Sequence, residues 1–287
     1  MLNMNHAKQN GIVILAGAGP GDPGLITVKA ADHLRKADVV LTDRLVSHEI
    51  IEKYVRSSAE VIEVGKQCRR GISTPQQTIN ELLVKYAWEG KYVVRLKGGD
   101  ISFFSNVLDE LSVLVKNEIP YEIVPGVTAA SGAAAYAGIP LTARDHATAV
   151  RFLTYYKSSV LKEEYWKELA ATDDTLVFYM SSETLDGLVD KLLENGIGND
   201  KQLAVIEQAT TPYQQVHISA FADYSEKIQH KTFLSPSLII IGKVVALHQS
   251  YKWFDGNNTG EYYFKPLTGA VESLVQNDTI KRYADRA

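Results

Sequence analysis

The stretch Val93-Val94-Arg95-Leu96-Lys97-Gly98-Gly99-Asp100 constrains the fold more than any other part of the chain. A short, largely apolar run ends in two glycines and an acid. That is the pattern of a buried parallel strand opening into a loop with almost no side-chain bulk. Ligands of open α/β sheets sit at such strand ends, and glycine lets a ligand come close to the backbone. Asp100 can then accept hydrogen bonds from hydroxyls or an ammonium group. Upstream, Val13-Ile14-Leu15-Ala16 runs in the same way into Gly17-Ala18-Gly19-Pro20-Gly21-Asp22-Pro23-Gly24. Two glycine-rich strand ends in one half of the chain point to one cleft built by both.

Around these two segments the first half alternates between periods of two and of about 3.6. Strands are expected at Ile12–Ala16, Val39–Thr42, Val61–Val64, Tyr92–Leu96 and Tyr121–Val124. Helices are expected at Leu25–Lys36, Ser47–Tyr54, Pro75–Trp88 with Thr74 as N-cap, Asn106–Lys116 and Thr128–Tyr136. Repeated strand–helix units imply a mainly parallel sheet with right-handed crossovers. The pattern breaks at Gly138-Ile139-Pro140-Leu141-Thr142 and restarts with strands at Val150–Tyr155, Thr175–Met180, Ala204–Glu207, Gln215–Ser219 and Leu238–Ile241, and a helix at Ser182–Glu194. Alternation around Gln215–Ser219 suggests some antiparallel pairing in this half. The expected division is a first α/β domain over residues 1–142, a second over 143–254, and a polar tail over 255–287, partly disordered or packed on a partner.

The 287 residues suffice for two such domains. A net charge of −4 argues against bulk binding of nucleic acid or an anionic membrane. A single cysteine, Cys68, rules out an internal disulfide and fits a reducing compartment. Met1–Asn10 is polar, without the apolar core of a signal peptide, and apolar runs such as Leu238–Ile241 are of strand length. A cytoplasmic location is the expectation.

The first glycine loop invites comparison with the dinucleotide fingerprint G-x-G-x-x-G. Asp22 stands where the third glycine belongs, and its carboxylate would repel a pyrophosphate at a helix start. Pro20 also removes a backbone donor. Asp43 lies about 20 residues on, where a ribose-binding acid is expected, which keeps a nicotinamide-dependent dehydrogenase open as an alternative. The implied ligand is one without phosphates, or a cation.

GAGPGDPGLIT, VVLTDRLVS, VGK, VVRLKGGD and VPGVTAASGAAAYAGIPLTARD, in this order, resemble the tetrapyrrole methylase family, and within it the uroporphyrinogen-III C-methylating branch. The similarity covers about residues 11 to 250. It implies two α/β domains with S-adenosylmethionine in the cleft between them, S-adenosylhomocysteine as product, and a homodimer serving sirohaem or cobalamin synthesis. It implies cofactor contacts from Pro20, Gly98, Gly99, Asp100, Phe103, Thr128 and Ala129, and from Met180, Ala209 and Pro236 in the second domain. Asp43 and Lys66 match the positions for proton handling. The sulfonium already activates the methyl group, so no metal is needed, and a carboxylate such as Asp43 could take an N–H proton or stabilise charge on the ring. The plain alternative for Asp43 is a helix cap or a salt bridge with Arg44. A polycarboxylate tetrapyrrole calls for cations, and Arg44, Lys66, Arg69, Arg70, Arg144 and Arg151 are the candidates. Arg69-Arg70 alone reads as a solvated charge run, while Arg144 is expected in a buried cleft.

The chain departs from the family pattern on the substrate side. The proline, arginine and glycines that usually follow GGD are replaced by Ile101-Ser102-Phe103-Phe104-Ser105-Asn106-Val107-Leu108. Ala143 stands where a histidine is usual, Tyr155-Tyr156 replace another, and Gln67-Cys68-Arg69-Arg70-Gly71 lacks a third. A diverged precorrin methyltransferase and a cofactor-binding paralogue without turnover therefore stay open beside the uroporphyrinogen reading.

Overall fold

The computed structural model describes residues 11–67, 72–155, 162–257 and 260–264, with only the backbone of 66, 67, 72 and 73. Met1–Asn10, Cys68, Arg69, Arg70, Tyr156 and the tail beyond Phe264 lie outside the described residues. The chain divides into two units, one running to Thr128 and including Phe264, the other Ala129–Tyr263.

In the first unit the order is β1 (Ile12–Gly17), α1 (Val28–Lys36), β2 (Val39–Thr42), α2 (His48–Tyr54), β3 (Glu60–Glu63), β4 (Lys66–Gln67), β5 (Ile72–Ser73), α3 (Gln76–Trp88), β6 (Tyr92–Lys97), α4 (Val107–Lys116) and β7 (Tyr121–Val124). Five strands form one parallel sheet in the order β3-β2-β6-β1-β7, and β4 and β5 form a small antiparallel pair. Helices cover both faces, so the central strands are buried on both sides rather than alternating between core and solvent. Val13 and Leu15 of β1 pack with Ile79 and Leu83 of α3, while Ile14 and Ala16 pack with Ala30 and Leu34 of α1. The first helix starts three residues later than the periodicity suggested. Asp22 accepts a hydrogen bond from the Gly24 amide and closes a 3-10 turn over Pro23–Leu25, and Thr27 then caps α1 through the Ala30 amide. Pro75, not Thr74, is the cap residue of α3.

The second unit contains α5 (Ala129–Ala137), β8 (Val150–Thr154), α6 (Glu163–Ala171), β9 (Thr175–Tyr179), α7 (Leu185–Glu194), β10 (Gln202–Glu207), β11 (Gln215–Ala220), α8 (Tyr224–Lys227), β12 (Ser237–Gly242) and α9 (His248–Tyr251). Its mixed sheet has the order β11-β10-β12-β9-β8, parallel between β8 and β9 and antiparallel elsewhere. The expected domain boundary at 142/143 is corrected to 128/129. Ala130, Ala133 and Ala137 of α5 share a core with Val177, Ile206, Leu238 and Ile240 of this second sheet, because a helix of small residues packs where it can approach a sheet closely. The tail is corrected in part as well, since residues 255–257 and 260–263 belong to the second unit.

Candidate functional site

In the first unit the parallel strands end together and their loops meet main chain to main chain. After Gly17 the Ala18 amide donates to Lys97 O (2.8 Å), and Gly19 and Gly99 exchange amide–carbonyl bonds of 3.0 and 2.8 Å. Gly19 and Gly99 are left-handed, with φ of 81° and 71°, a conformation costly for any residue with a Cβ. A Cβ added at Gly17 would lie 2.6 Å from Gly99 O and 2.7 Å from Gly126 N, and one at Gly126 would overlap Gly99 O. The ends of β1, β6 and β7 thus form a floor of bare backbone. Pro20 is buried beside it, and Thr128 follows it at the end of the unit, half-buried.

Asp100 staples this floor. It is 7% exposed; its Oδ1 accepts from the Ser102 amide and its Oδ2 from the Gly126 amide, both at 2.8 Å. Charge-assisted bonds of this kind are among the stronger ones, and they join the β6 loop to the end of β7. Beyond Asp100, Phe103 and Phe104 are 38% and 41% exposed, and Phe104 (φ 51°) and Asn106 (φ 58°) are left-handed without being glycine.

The plain alternative for Asp43 was a helix cap or a salt bridge with Arg44; the ion pair observed is with Arg95. Asp43 pairs with Arg95, whose Nε donates to Glu110 at 2.9 Å and whose Nη1 donates to Leu41 O and Leu96 O. Lys97 donates to both oxygens of Glu110 at 3.2 Å. Nor does Asp43 cap α2, whose N-cap residue is Ser47. Two cations and two carboxylates balance, with Glu110 wholly buried and Asp43 partly open to solvent. Burial opposes the Arg95 charge, but Asp43 and Glu110 outweigh it and hold the guanidinium above its ordinary value. Burial, with the neighbouring Arg95 charge, pushes Lys97 down. Arg95, Lys97 and Glu110 were not singled out from the sequence. The available signal was two cations at i and i+2 in a strand otherwise apolar, which cannot be buried unpaired.

In the second unit the register sets Tyr179 opposite Leu238 and Ser237 opposite Glu207, so Met180, Pro236 and Gln208 lie together at one end of the strands β9, β12 and β10. Met180 is left-handed (φ 55°) and 64% exposed. The Oγ of the next residue, Ser181, is buried between Tyr179 O (2.7 Å) and the Tyr155 amide (2.8 Å), so the backbone on either side of Met180 is pinned. Ala209 is buried between the left-handed Gln208 and Thr210, and Gln208 donates its amide to Pro236 O at 2.7 Å. Ala129 opens α5, where the Ala130 amide donates to the Tyr179 hydroxyl.

Three basic candidates fare differently. Arg44 is half-buried. Arg144 is exposed on a tight turn closed by Ala143 and Ala147 rather than buried as expected. Arg151 donates to Glu168 and to Asp174 at 2.6 Å each, and these bonds hold its charge above the usual range. Its guanidinium joins β8 to α6. The side chain of Lys66 lies outside the described residues.

The sequence profile of the Tetrapyrrole (Corrin/Porphyrin) Methylases matches residues 13–223. The chain belongs to the tetrapyrrole methylase family. Among relatives of this chain, "Siroheme synthase 2" of Aeromonas hydrophila subsp. hydrophila is 47% identical over 259 residues, covering 90% of this chain and 54% of that protein. The chain spans about half the length of the curated relatives it matches. Uroporphyrin-III-C-methyltransferase from Thermus thermophilus is similar in structure, with TM-score 0.70 and 33% identity over 85% of this chain and 98% of that one. A structure of the Thermus enzyme complexed with S-adenosyl homocysteine is similar at TM-score 0.67 and 32% identity, over 83% of this chain and 100% of that one. Among the described residues of the chain, no group of three or more His, Cys, Asp or Glu could hold a metal ion, and no helix is long and apolar enough to cross a membrane.

Proposed function

We propose that this methylase transfers methyl groups from S-adenosyl-L-methionine to pyrrole carbons of uroporphyrinogen III, giving precorrin-1 and then precorrin-2 for sirohaem or cobalamin synthesis. The observation that carries the reading is the glycine floor stapled by Asp100. It is bare backbone that a single Cβ would fill, and Asp22 and Pro20 make it a poor seat for a pyrophosphate. Gly98, Gly99 and Asp100 would hold the methionine and ribose portions and Met180 would pack on the adenine, with Pro20, Phe103, Thr128, Ala129, Ala209 and Pro236 as further cofactor contacts. When bound, the cofactor supplies a methyl group already activated by a sulfonium. A pyrrole carbon gains that methyl as the S–C bond breaks, and the ring cation is discharged by loss of a proton. Asp43, held by Arg95 with part of its carboxylate open, accepts that proton or screens the charge. Lys66, Arg44 and Arg144 would meet carboxylates of the substrate. A cytoplasmic homodimer belongs to the same proposal, supported by the single cysteine and the family resemblance; light scattering tests the dimer.

The experiment is to incubate the protein with uroporphyrinogen III and S-adenosylmethionine, following S-adenosylhomocysteine release and the mass of the tetrapyrrole. Asp100→Ala is expected to abolish cofactor binding, because it leaves two floor amides without their acceptor. Micromolar affinity retained by that variant in calorimetry would remove the site assignment. A second reading, a diverged acceptor, is favoured by the strained Phe104 and Asn106 in a loop where the family carries glycines. It predicts cofactor binding with turnover on a precorrin and not on uroporphyrinogen III.

A further inference from the structure

The chain after β12 returns to the loop that carries Ala209. Gln208 is 1% exposed. Its Nε2 donates to Glu261 O at 2.9 Å and its Oε1 accepts from the Tyr263 amide at 2.8 Å. This is the two-bond pairing that one strand makes with another, here made by a side chain. Nearer α9, a Cβ added at Gly256 would overlap Gln214 O, so the two backbones touch where only glycine fits. The Asn257 amide donates to Pro212 O at 2.5 Å. Tyr213 and Tyr263 pack edge to face, 6.4 Å between centroids, and a hydrogen bond to the Glu261 carboxylate holds the Tyr213 phenol above its usual range.

From its other side the loop is held by bonds of its own. Gln208 N donates to Pro236 O, the Thr210 amide to Gln214 Oε1 at 2.8 Å, and the Thr211 hydroxyl to Gln208 O at 2.8 Å. Two left-handed residues that are not glycine, Gln208 (φ 47°) and Thr210 (φ 67°), flank Ala209. Such conformations persist only where the surroundings over-determine them. Here half of that constraint comes from residues far along the chain.

We propose that Gln208 is a positioning residue, and that Gly256, Asn257, Glu261 and Tyr263 act through it and its loop as a strap that fixes the backbone of Ala209 for the adenosyl ligand. This rests on the reading of Ala209 as a cofactor contact. Without the strap, the Gln208–Gln214 loop loses its outer bonds and relaxes from the left-handed conformation, and the ligand must then order it on binding.

The test measures S-adenosylhomocysteine affinity by calorimetry, well below the unfolding temperature, with hydrogen exchange over residues 207–214. Four proteins are compared: the full chain, Gln208→Ala, a chain ended after Phe254 and a chain ended after Phe264. Gln208→Ala and the chain ended after Phe254 are expected to bind about tenfold more weakly and to exchange faster in the loop. The chain ended after Phe264 is expected to match the full chain. Affinity within about twofold of the full chain in folded Gln208→Ala overturns the proposal, whatever happens to the melting temperature. If the chain ended after Phe254 fails to fold, Gly256→Ala replaces it. If the full chain itself binds no S-adenosylhomocysteine, the cofactor reading falls, and Gln208 has no ligand to position.

Discussion

Glu110 is wholly buried and is shared by two cations that lie two residues apart on the same strand. Removing a buried ion's partner costs far more than the pair itself contributes, because the remaining charges lose their compensation without regaining water. Glu110→Ala is therefore expected to destabilise the protein by about 3–5 kcal/mol. Glu110→Gln, which keeps one acceptor, should cost less, and urea unfolding of the two variants gives the comparison. At this scale the sequence was half legible. Glycines and Asp100 at the strand end stood out because they combine a backbone need with a charge. The fate of Asp43 did not, since its partner Arg95 is 52 residues away in sequence and adjacency pointed to Arg44. The partners of Arg151 were hidden for the same reason: a cation is visible in sequence, its carboxylates across the fold are not.

Secondary structure followed period and punctuation closely where strands were buried and helices had caps. α6 was missed altogether. Tyr165, Trp166, Leu169 and Ala170 do recur on one helical face, but the segment lies between two strands without the glycine or proline marks that framed other helices. Antiparallel pairing of β11 with β10 was visible in its alternation. Backbone strain in the loop before α4 was not, because left-handed φ is legible only where glycine marks it. Phe104 occupies that region, where a β-branched side chain fits worst. Phe104→Gly should leave stability within about 1 kcal/mol of the native protein, relief of strain offsetting the extra freedom of the unfolded chain. Phe104→Val should lose more than that, as chemical denaturation will read.

Stability of the whole molecule should depend on pH through His33, which bonds the Tyr92 hydroxyl at 2.6 Å. Burial lowers its pKa below 6.5, against the pull of Glu122. The unfolded chain therefore takes up this proton first as pH falls, and stability should decline on acidification through about pH 6.5. His33→Gln should flatten part of that slope in urea midpoints measured between about pH 7.5 and 5.5. At this scale the two-sheet plan was legible from the repeated strand–helix units, whereas the boundary was not. A glycine-proline break looks like a joint, yet α5 before it belongs to the second core. The backbone floor at Gly17, Gly99 and Gly126 has a consequence for how such a protein can diverge. It offers no side chains to exchange: an alanine at Gly17 or Gly126 collides with main chain, and Gly99 holds a left-handed φ that a Cβ disfavours. Drift is thereby channelled to exposed side chains of the surrounding loops such as Phe104, so that descendants can vary those while the bare backbone stays as it was.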